Sequence, residues 1–112
     1  MKIRDLLGRT VSNEVDVGEA ARHQAEGALV VDVREPFEWA VGHVPGAKHM
    51  PLEELLSSLD KLPRGREVLL ICRSGNRSGF AAAAARRAGI SQARNVKGGM
   101  IAWIRAGLPI QV

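Results

Sequence analysis

Val68-Leu69-Leu70-Ile71-Cys72-Arg73-Ser74-Gly75-Asn76-Arg77-Ser78-Gly79 is the stretch on which the reading of the fold turns. Its first five residues are apolar without a break and rich in branched side chains, the pattern of a strand covered on both faces of a parallel sheet. An alanine-rich segment follows over residues 78–88, carries Arg86 and Arg87 in its last turn and stops at Gly89, which predicts a helix. A strand that passes through a short glycine-containing loop into a helix belongs to an α/β sheet. In such a sheet, ligands gather at the carboxyl ends of the strands.

Outward from that stretch the same grammar repeats. Ala28-Leu29-Val30-Val31-Asp32-Val33 is a second, nearly continuously apolar run. Asp16 with Glu19 three residues on predicts a capping box, opening a helix that runs toward Glu26 and ends near Gly27. Pro51, with Glu53 and Glu54 behind it, predicts a helix running to Leu59. Residues 100–106 form a last helical segment before Gly107 and Pro109, and residues 47–50 and 94–96 supply further strands. The expectation is a single α/β domain with a mainly parallel sheet over residues 14–112, preceded by a short extension, 1–13. No linker and no internal repeat interrupts it.

Composition narrows the function. A chain of 112 residues, 46% hydrophobic and 25% charged, has the make-up of one globular domain with a core of its own. The longest all-apolar run, residues 80–85, is far short of the roughly 20 residues that span a bilayer. The first residues hold no apolar stretch fit for a secretory signal, so no membrane contact and a cytoplasmic location are expected. The single cysteine, Cys72, excludes an internal disulfide, a CxxC pair and a cysteine-rich zinc site. His23, His43 and His49 lack HExxH spacing, so no metal is expected. Net charge is +4, but 12 acidic residues are interspersed with the basic ones, and Phe37, Trp39, Phe80 and Trp103 are the only aromatics. No nucleic-acid partner is expected from that balance. GxGxxG, GxxxxGK[ST] and GxSxG are all missing, and no cofactor is expected.

The chemistry concentrates in the loop after Cys72. A helix that begins near Arg77 or Ser78 offers unsatisfied backbone N–H groups and the positive end of its dipole. Gly75 permits the tight turn through which successive N–H groups converge on one point, a nest for an anion. Ser74, Asn76 and Ser78 add hydrogen-bonding capacity. A cysteine that merely ends an apolar strand is usually an inert core residue. Such a residue needs neither Arg73 and Arg77 within five positions nor a glycine turn and a helix start behind it. An ordinary thiol, with a pKa of about 8.5, is only about 3% thiolate at pH 7. A downward shift of about two units, ~2.7 kcal/mol, makes it mostly thiolate, and a lowered pKa is the expected direction here.

Three blocks of the sequence resemble the rhodanese-like sulfurtransferases and, in size, the single-domain thiosulfate sulfurtransferases. Val31-Asp32-Val33-Arg34-Glu35, continuing through Glu38-Trp39 to Gly42-His43-Val44-Pro45-Gly46-Ala47, is similar to the amino-terminal signature of that family. Cys72-Arg73-Ser74-Gly75-Asn76-Arg77-Ser78 is similar to its catalytic loop. Val96-Lys97-Gly98-Gly99-Met100, with Trp103 and then Gly107-Leu108-Pro109, is similar to its carboxy-terminal signature. All three stand in order over nearly the whole chain.

The resemblance implies a rhodanese-like fold, a central, mostly parallel sheet of about five strands with helices on both faces. It implies that Cys72 attacks the outer sulfur of thiosulfate, becomes a persulfide, and hands its sulfur to a thiophilic acceptor such as cyanide, a small thiol or a dithiol protein. Arg73, Ser74, Gly75, Asn76, Arg77 and Ser78 are then the cradle, with both arginines drawing in the dianionic donor. An alternative within the resemblance is a persulfide carrier, loaded by a protein persulfide donor and emptied by a protein acceptor. A phosphatase or arsenate reductase of the related branch is less favoured, because that branch resembles Cys-x5-Arg whereas only four residues separate Cys72 from Arg77. In the first block, Asp32 is expected to hydrogen-bond neighbouring backbone and Arg34 to pair with a carboxylate such as Glu38. His43 is read as a turn anchor, and Trp39 and Trp103 as packing.

Overall fold

The structure, a computed structural model, describes residues 13–112. All but the last residue of the expected extension 1–13 therefore lies outside the described residues. The elements run β1 Glu14–Val15, α1 Val17–Ala25, β2 Leu29–Asp32, α2 Pro36–Val41, β3 Lys48–His49, α3 Leu52–Leu56, a 3-10 turn Leu59–Lys61, β4 Val68–Ile71, α4 Asn76–Arg87, β5 Ala93–Val96 and α5 Gly99–Arg105. The five strands form one sheet in the order β1-β5-β4-β2-β3, and every pairing is parallel. The expected α/β sheet of about five strands is present.

The continuous apolar runs are explained by two covered faces. Successive side chains of a strand point to opposite sides. Val68, Leu70 and Cys72 therefore join one core cluster, with Leu55 of α3 and Ala81, Ala82 and Ala85 of α4. Leu69 and Ile71 join the other, with Ala20 of α1 and Met100 and Trp103 of α5. All four residues of β4 are fully buried. Ala81, Ala82 and Ala85 of α4 are buried too, and their small side chains let that helix lie close on β4 and β5.

Several boundaries moved. The capping box of α1 forms as expected: the Glu19 N–H donates to Asp16 Oδ1 at 2.8 Å and the Asp16 N–H donates to Glu19 Oε1 at 3.0 Å. The helix after Pro51 ends at Leu56 rather than Leu59. There the Ser57 hydroxyl donates back to the Glu54 carbonyl, a local bond that competes with helix propagation, and the chain continues as the separate 3-10 turn. Two elements were not anticipated. β1 is only two residues long, and α2 buries none of its residues, so neither carries a legible period.

The start of α5 is pressed onto the end of β4. The N–H groups of Met100 and Ile101 donate to the carbonyl oxygens of Cys72 (2.8 Å) and Arg73 (3.1 Å). This approach requires glycine at position 99. Its φ is +57°, and a Cβ there would run into the Cys72 carbonyl oxygen and come within 2.6 Å of that of Arg73. Gly107 supplies a control, since its φ is +72° but nothing stands within 4 Å of a Cβ. Gly107→Ala is expected to cost about 1 kcal/mol of backbone strain, whereas Gly99→Ala should cost about 3 kcal/mol or more and change the alkylation rate of Cys72. Denaturant unfolding of the two variants measures the difference; equal losses would contradict the clamp.

Candidate active site

β4 delivers Cys72 to the carboxyl edge of the sheet, and the chain turns within three residues into α4. Gly75 makes the turn with φ +105° and serves as N-cap of α4, with no side chain capping the helix. The sulfur takes that place. Cys72 Sγ accepts from the Gly75 N–H at 3.1 Å, and the Ser78 hydroxyl lies 3.2 Å away. Cys72 is only 1% exposed, so the thiol lies at the floor of the loop and not on its rim. Burial pushes its pKa up, but hydrogen bonds from the Ser78 hydroxyl and from the backbone N–H groups of Ser78, Gly75 and Ser74 outweigh this. The thiol titrates below its ordinary value.

The rest of the expected cradle divides into two kinds. The backbone of the loop and the buried Ser78 converge on the sulfur, whereas the side chains of Ser74 and Asn76 are exposed. The two arginines also part company. Arg77 does not stand free in the cradle: its Nη1 and Nη2 fork onto the two carboxylate oxygens of Glu38 in α2, at 2.7 and 2.9 Å. Arg73 is exposed at the mouth and, among the described residues, makes no ion pair or side-chain hydrogen bond.

The expected partner of Arg34 is corrected. Arg34 pairs with Asp32, through Nη2 to Oδ2 at 2.8 Å and Nε to Oδ1 at 3.0 Å, and Glu38 belongs to Arg77. Residues two apart in extended chain share a face, so Asp32 is the nearest carboxylate to Arg34 as β2 ends. Asp32 also accepts from the Arg34 backbone N–H, and Arg34 Nη2 donates to the Gly42 carbonyl, so the pair ties β2 to the end of α2.

His43 anchors its turn as expected. Its Nδ1–H donates to the Trp39 carbonyl at 3.0 Å and its backbone pairs with Gln111. Trp39 lies stacked between His43 and His49, with ring centroids 3.5 and 4.7 Å apart. Trp103 is core, 2% exposed, with Nε1–H donating to the Pro109 carbonyl. Among the described residues no cluster of His, Cys, Asp and Glu could hold a metal, and no helix is long and apolar enough to cross a membrane.

Reading the sequence missed three site features. Glu38 lies 39 positions from Arg77, and no local pattern joins them. Gly99 stands out in the sequence only as a member of the third block. Asn95, which hydrogen-bonds Ser78, had one signal: a polar residue inside an otherwise buried strand.

The Arg77 guanidinium beside Glu38 holds that carboxyl down at about 2, against an ordinary 4.5. A depressed carboxyl stabilises the fold fully above its ordinary value and loses that contribution as pH falls toward about 2. Glu38→Gln should therefore lower stability by about 1–2 kcal/mol near neutral pH, between the values for exposed and buried pairs, with the gap closing in acid. Thermal unfolding of parent and variant from pH 7 to pH 3 measures this. A gap independent of pH would contradict it.

Residues 16–106 match the family described as Rhodanese-like domain. The chain is 39% identical over 100 residues to a sulfurtransferase of Allochromatium vinosum, an alignment covering 88% of this chain and 94% of the relative. It is 34% identical over 85 residues to the thiosulfate sulfurtransferase GlpE of Pseudomonas entomophila, covering 76% of this chain and 78% of that one. Among solved structures, a rhodanese-related protein from Thermoplasma volcanium superimposes with a TM-score of 0.81 at 30% identity, over 88% of this chain and 96% of the other. With the family's match running from α1 through α5, the chain belongs to the rhodanese-like domain family.

Proposed function

We propose that the chain is a thiosulfate sulfurtransferase in which Cys72 carries the sulfur as a persulfide. The observation that carries this reading is the seat of the sulfur. A lone thiol, its pKa lowered, lies where a helix cap belongs, under the Gly75 N–H and beside the Ser78 hydroxyl. The name of the Pseudomonas entomophila relative supports thiosulfate as donor.

The proposed reaction splits one transfer into two displacements. The Cys72 thiolate attacks the outer sulfur of thiosulfate; a new S–S bond forms to Cys72 as the sulfur–sulfur bond of thiosulfate breaks, and sulfite leaves with the bonding pair. A thiophilic acceptor, cyanide or a thiolate, then attacks the outer sulfur of the persulfide and returns Cys72 as thiolate. Neither step needs an external oxidant or reductant. The N–H groups over the loop hold negative charge on sulfur through both. Arg73 attracts the dianionic donor and the departing sulfite. Arg77, already matched by Glu38, braces the loop against α2 rather than adding free charge. With no second cysteine in the chain, the acceptor is a separate molecule. We place this chemistry in the cytoplasm, where reducing conditions keep such a thiol free.

A second reading, a carrier that moves persulfide sulfur between proteins, is favoured by one observation. A groove of about 370 Å³ at the mouth is lined by Phe37, Val41, Met100, Ile101 and Ile104, with Arg34, Glu38 and Arg73 as its charged members. Arg73 suits an anion there, but the five apolar side chains add nothing to the binding of thiosulfate and suit an organic partner. Phosphatase or arsenate chemistry is disfavoured by the short loop, which closes onto the sulfur itself.

Cys72→Ser is expected to reduce thiosulfate:cyanide transfer to background. Arg73→Ala should raise the KM for thiosulfate about tenfold, the loss of one charge-assisted contact, with little effect on the step to cyanide. Steady-state kinetics with the two substrates varied independently separate these. Saturation only at very high thiosulfate, with rapid loading by a protein persulfide, would favour the carrier. Full activity in Cys72→Ser would end both readings.

A further inference from the structure

Asn95 sits in β5, 5% exposed, beside Ser78, which is fully buried. Its Nδ2 lies 2.9 Å from Glu14 Oε2 and 3.1 Å from the Gly75 carbonyl oxygen, and its Oδ1 lies 2.6 Å from the Ser78 hydroxyl. Chemistry fixes the orientation of the amide. A carboxylate and a carbonyl only accept, so the nitrogen faces them and the oxygen faces Ser78. An amide oxygen also only accepts, so at 2.6 Å Ser78 gives Asn95 its one hydroxyl hydrogen. That same hydroxyl oxygen is 3.2 Å from Cys72 Sγ. One hydrogen cannot serve both acceptors at once.

We infer that Asn95 is a positioning residue that sets which way the Ser78 hydroxyl points, and through it how firmly the loop holds negative charge on Cys72. With a neutral thiol the chain of donors runs outward: Cys72 S–H to Ser78 Oγ, and Ser78 O–H to Asn95 Oδ1. With a thiolate the hydroxyl turns to the sulfur, and the Asn95 oxygen is left without its donor in a buried site, where a missing hydrogen bond is costly. Asn95 and the thiolate therefore compete for one hydrogen, and the competition damps the cradle. The amide is held in place by its neighbours. Cβ atoms added at Gly79 and Gly75 would come within 3.4 and 3.6 Å of Asn95 Nδ2.

The charged groups around this arrangement are Arg73 and the Arg77–Glu38 pair at the mouth, the Asp32–Arg34 pair at the end of β2, and Glu14 behind Asn95. From α3 the cluster around Cys72 takes Leu55, and from α5 the backbone N–H groups of Met100 and Ile101 reach the loop carbonyls. None of these groups is altered in the variants below. The inference rests on Cys72 as the reacting thiol, but its test needs no sulfur donor, so failure of the one is distinguishable from failure of the other.

The test is a pH titration of Cys72, followed by thiolate ultraviolet absorbance and by alkylation rate, in the full chain and in Asn95→Ala, Ser78→Ala and the double variant. Ser78→Ala is expected to lower the thiolate-to-thiol ratio about fivefold, one hydrogen bond's worth. Asn95→Ala is expected to raise it by two- to fivefold, about the same worth, and to have no effect once Ser78 is gone. Asn95→Val, whose branched side chain suits a strand, should match Asn95→Ala and stands in where the alanine variant does not fold. If Asn95 only supports the Gly75 carbonyl, its removal lowers the ratio, and does so with or without Ser78. Either of those results overturns the inference.

Discussion

Everything in the site depends on how the chain passes from β4 into α4. The turn is made in the three residues after Cys72, and its last, Gly75, takes a left-handed φ of +105° and leaves α4 without a side-chain cap. The first N–H groups of a helix need an acceptor, and an uncapped start that is buried is costly. Cys72 Sγ sits at that point and accepts from Gly75. The need of the helix for an acceptor and the need of the sulfur for donors are thus met by one contact. Burial of Cys72 acts in the opposite direction, and the Gly75 N–H, together with the hydroxyl and N–H of Ser78 and the N–H of Ser74, outweighs it.

The surroundings keep that contact in register. On one side α5 donates to the Cys72 and Arg73 carbonyl oxygens, and this close approach depends on Gly99 having no Cβ. On the other, the Arg77–Glu38 fork fastens the start of α4 to α2, and the Arg34–Asp32 pair fastens α2 to β2. Each side of the loop is tied to a different element, and the ties are short-range and directional. One consequence is a division of labour between cations. Arg77 is structural charge, balanced where it stands, and Arg73 is the charge available to an incoming anion. Beside Arg73, the exposed Phe37, Val41 and Ile104 make the mouth apolar on one flank and cationic on the other.

Much of this was legible in the sequence, for reasons that particular residues make plain. Strands β2 and β4 were readable because both faces are covered, so apolar residues run without alternation. The loop was readable because Cys72, Gly75 and the helix start at Asn76 fall within five residues, and local chemistry leaves a local pattern. What depended on distant pairing was not readable. Arg77 finds Glu38 across 39 positions, and nothing local shows that Arg34 takes Asp32 and not Glu38. The two residues of β1 are ordered by pairing with β5, not by any period of their own. Helix α2 turns Phe37 and Val41 outward, which removes the amphipathic signal. Asn95 left only a polar letter inside a strand, and its meaning appeared once β5 was placed beside α4.

The central claim, that Cys72 is the atom on which sulfur rides, is tested most directly by intact mass. The purified, reduced chain is treated with thiosulfate beside Cys72→Ala and weighed before and after cyanide. A gain of one sulfur atom in the parent alone, removed by cyanide, is the expected result. No gain in a folded and reduced chain, or an equal gain in Cys72→Ala, would contradict it.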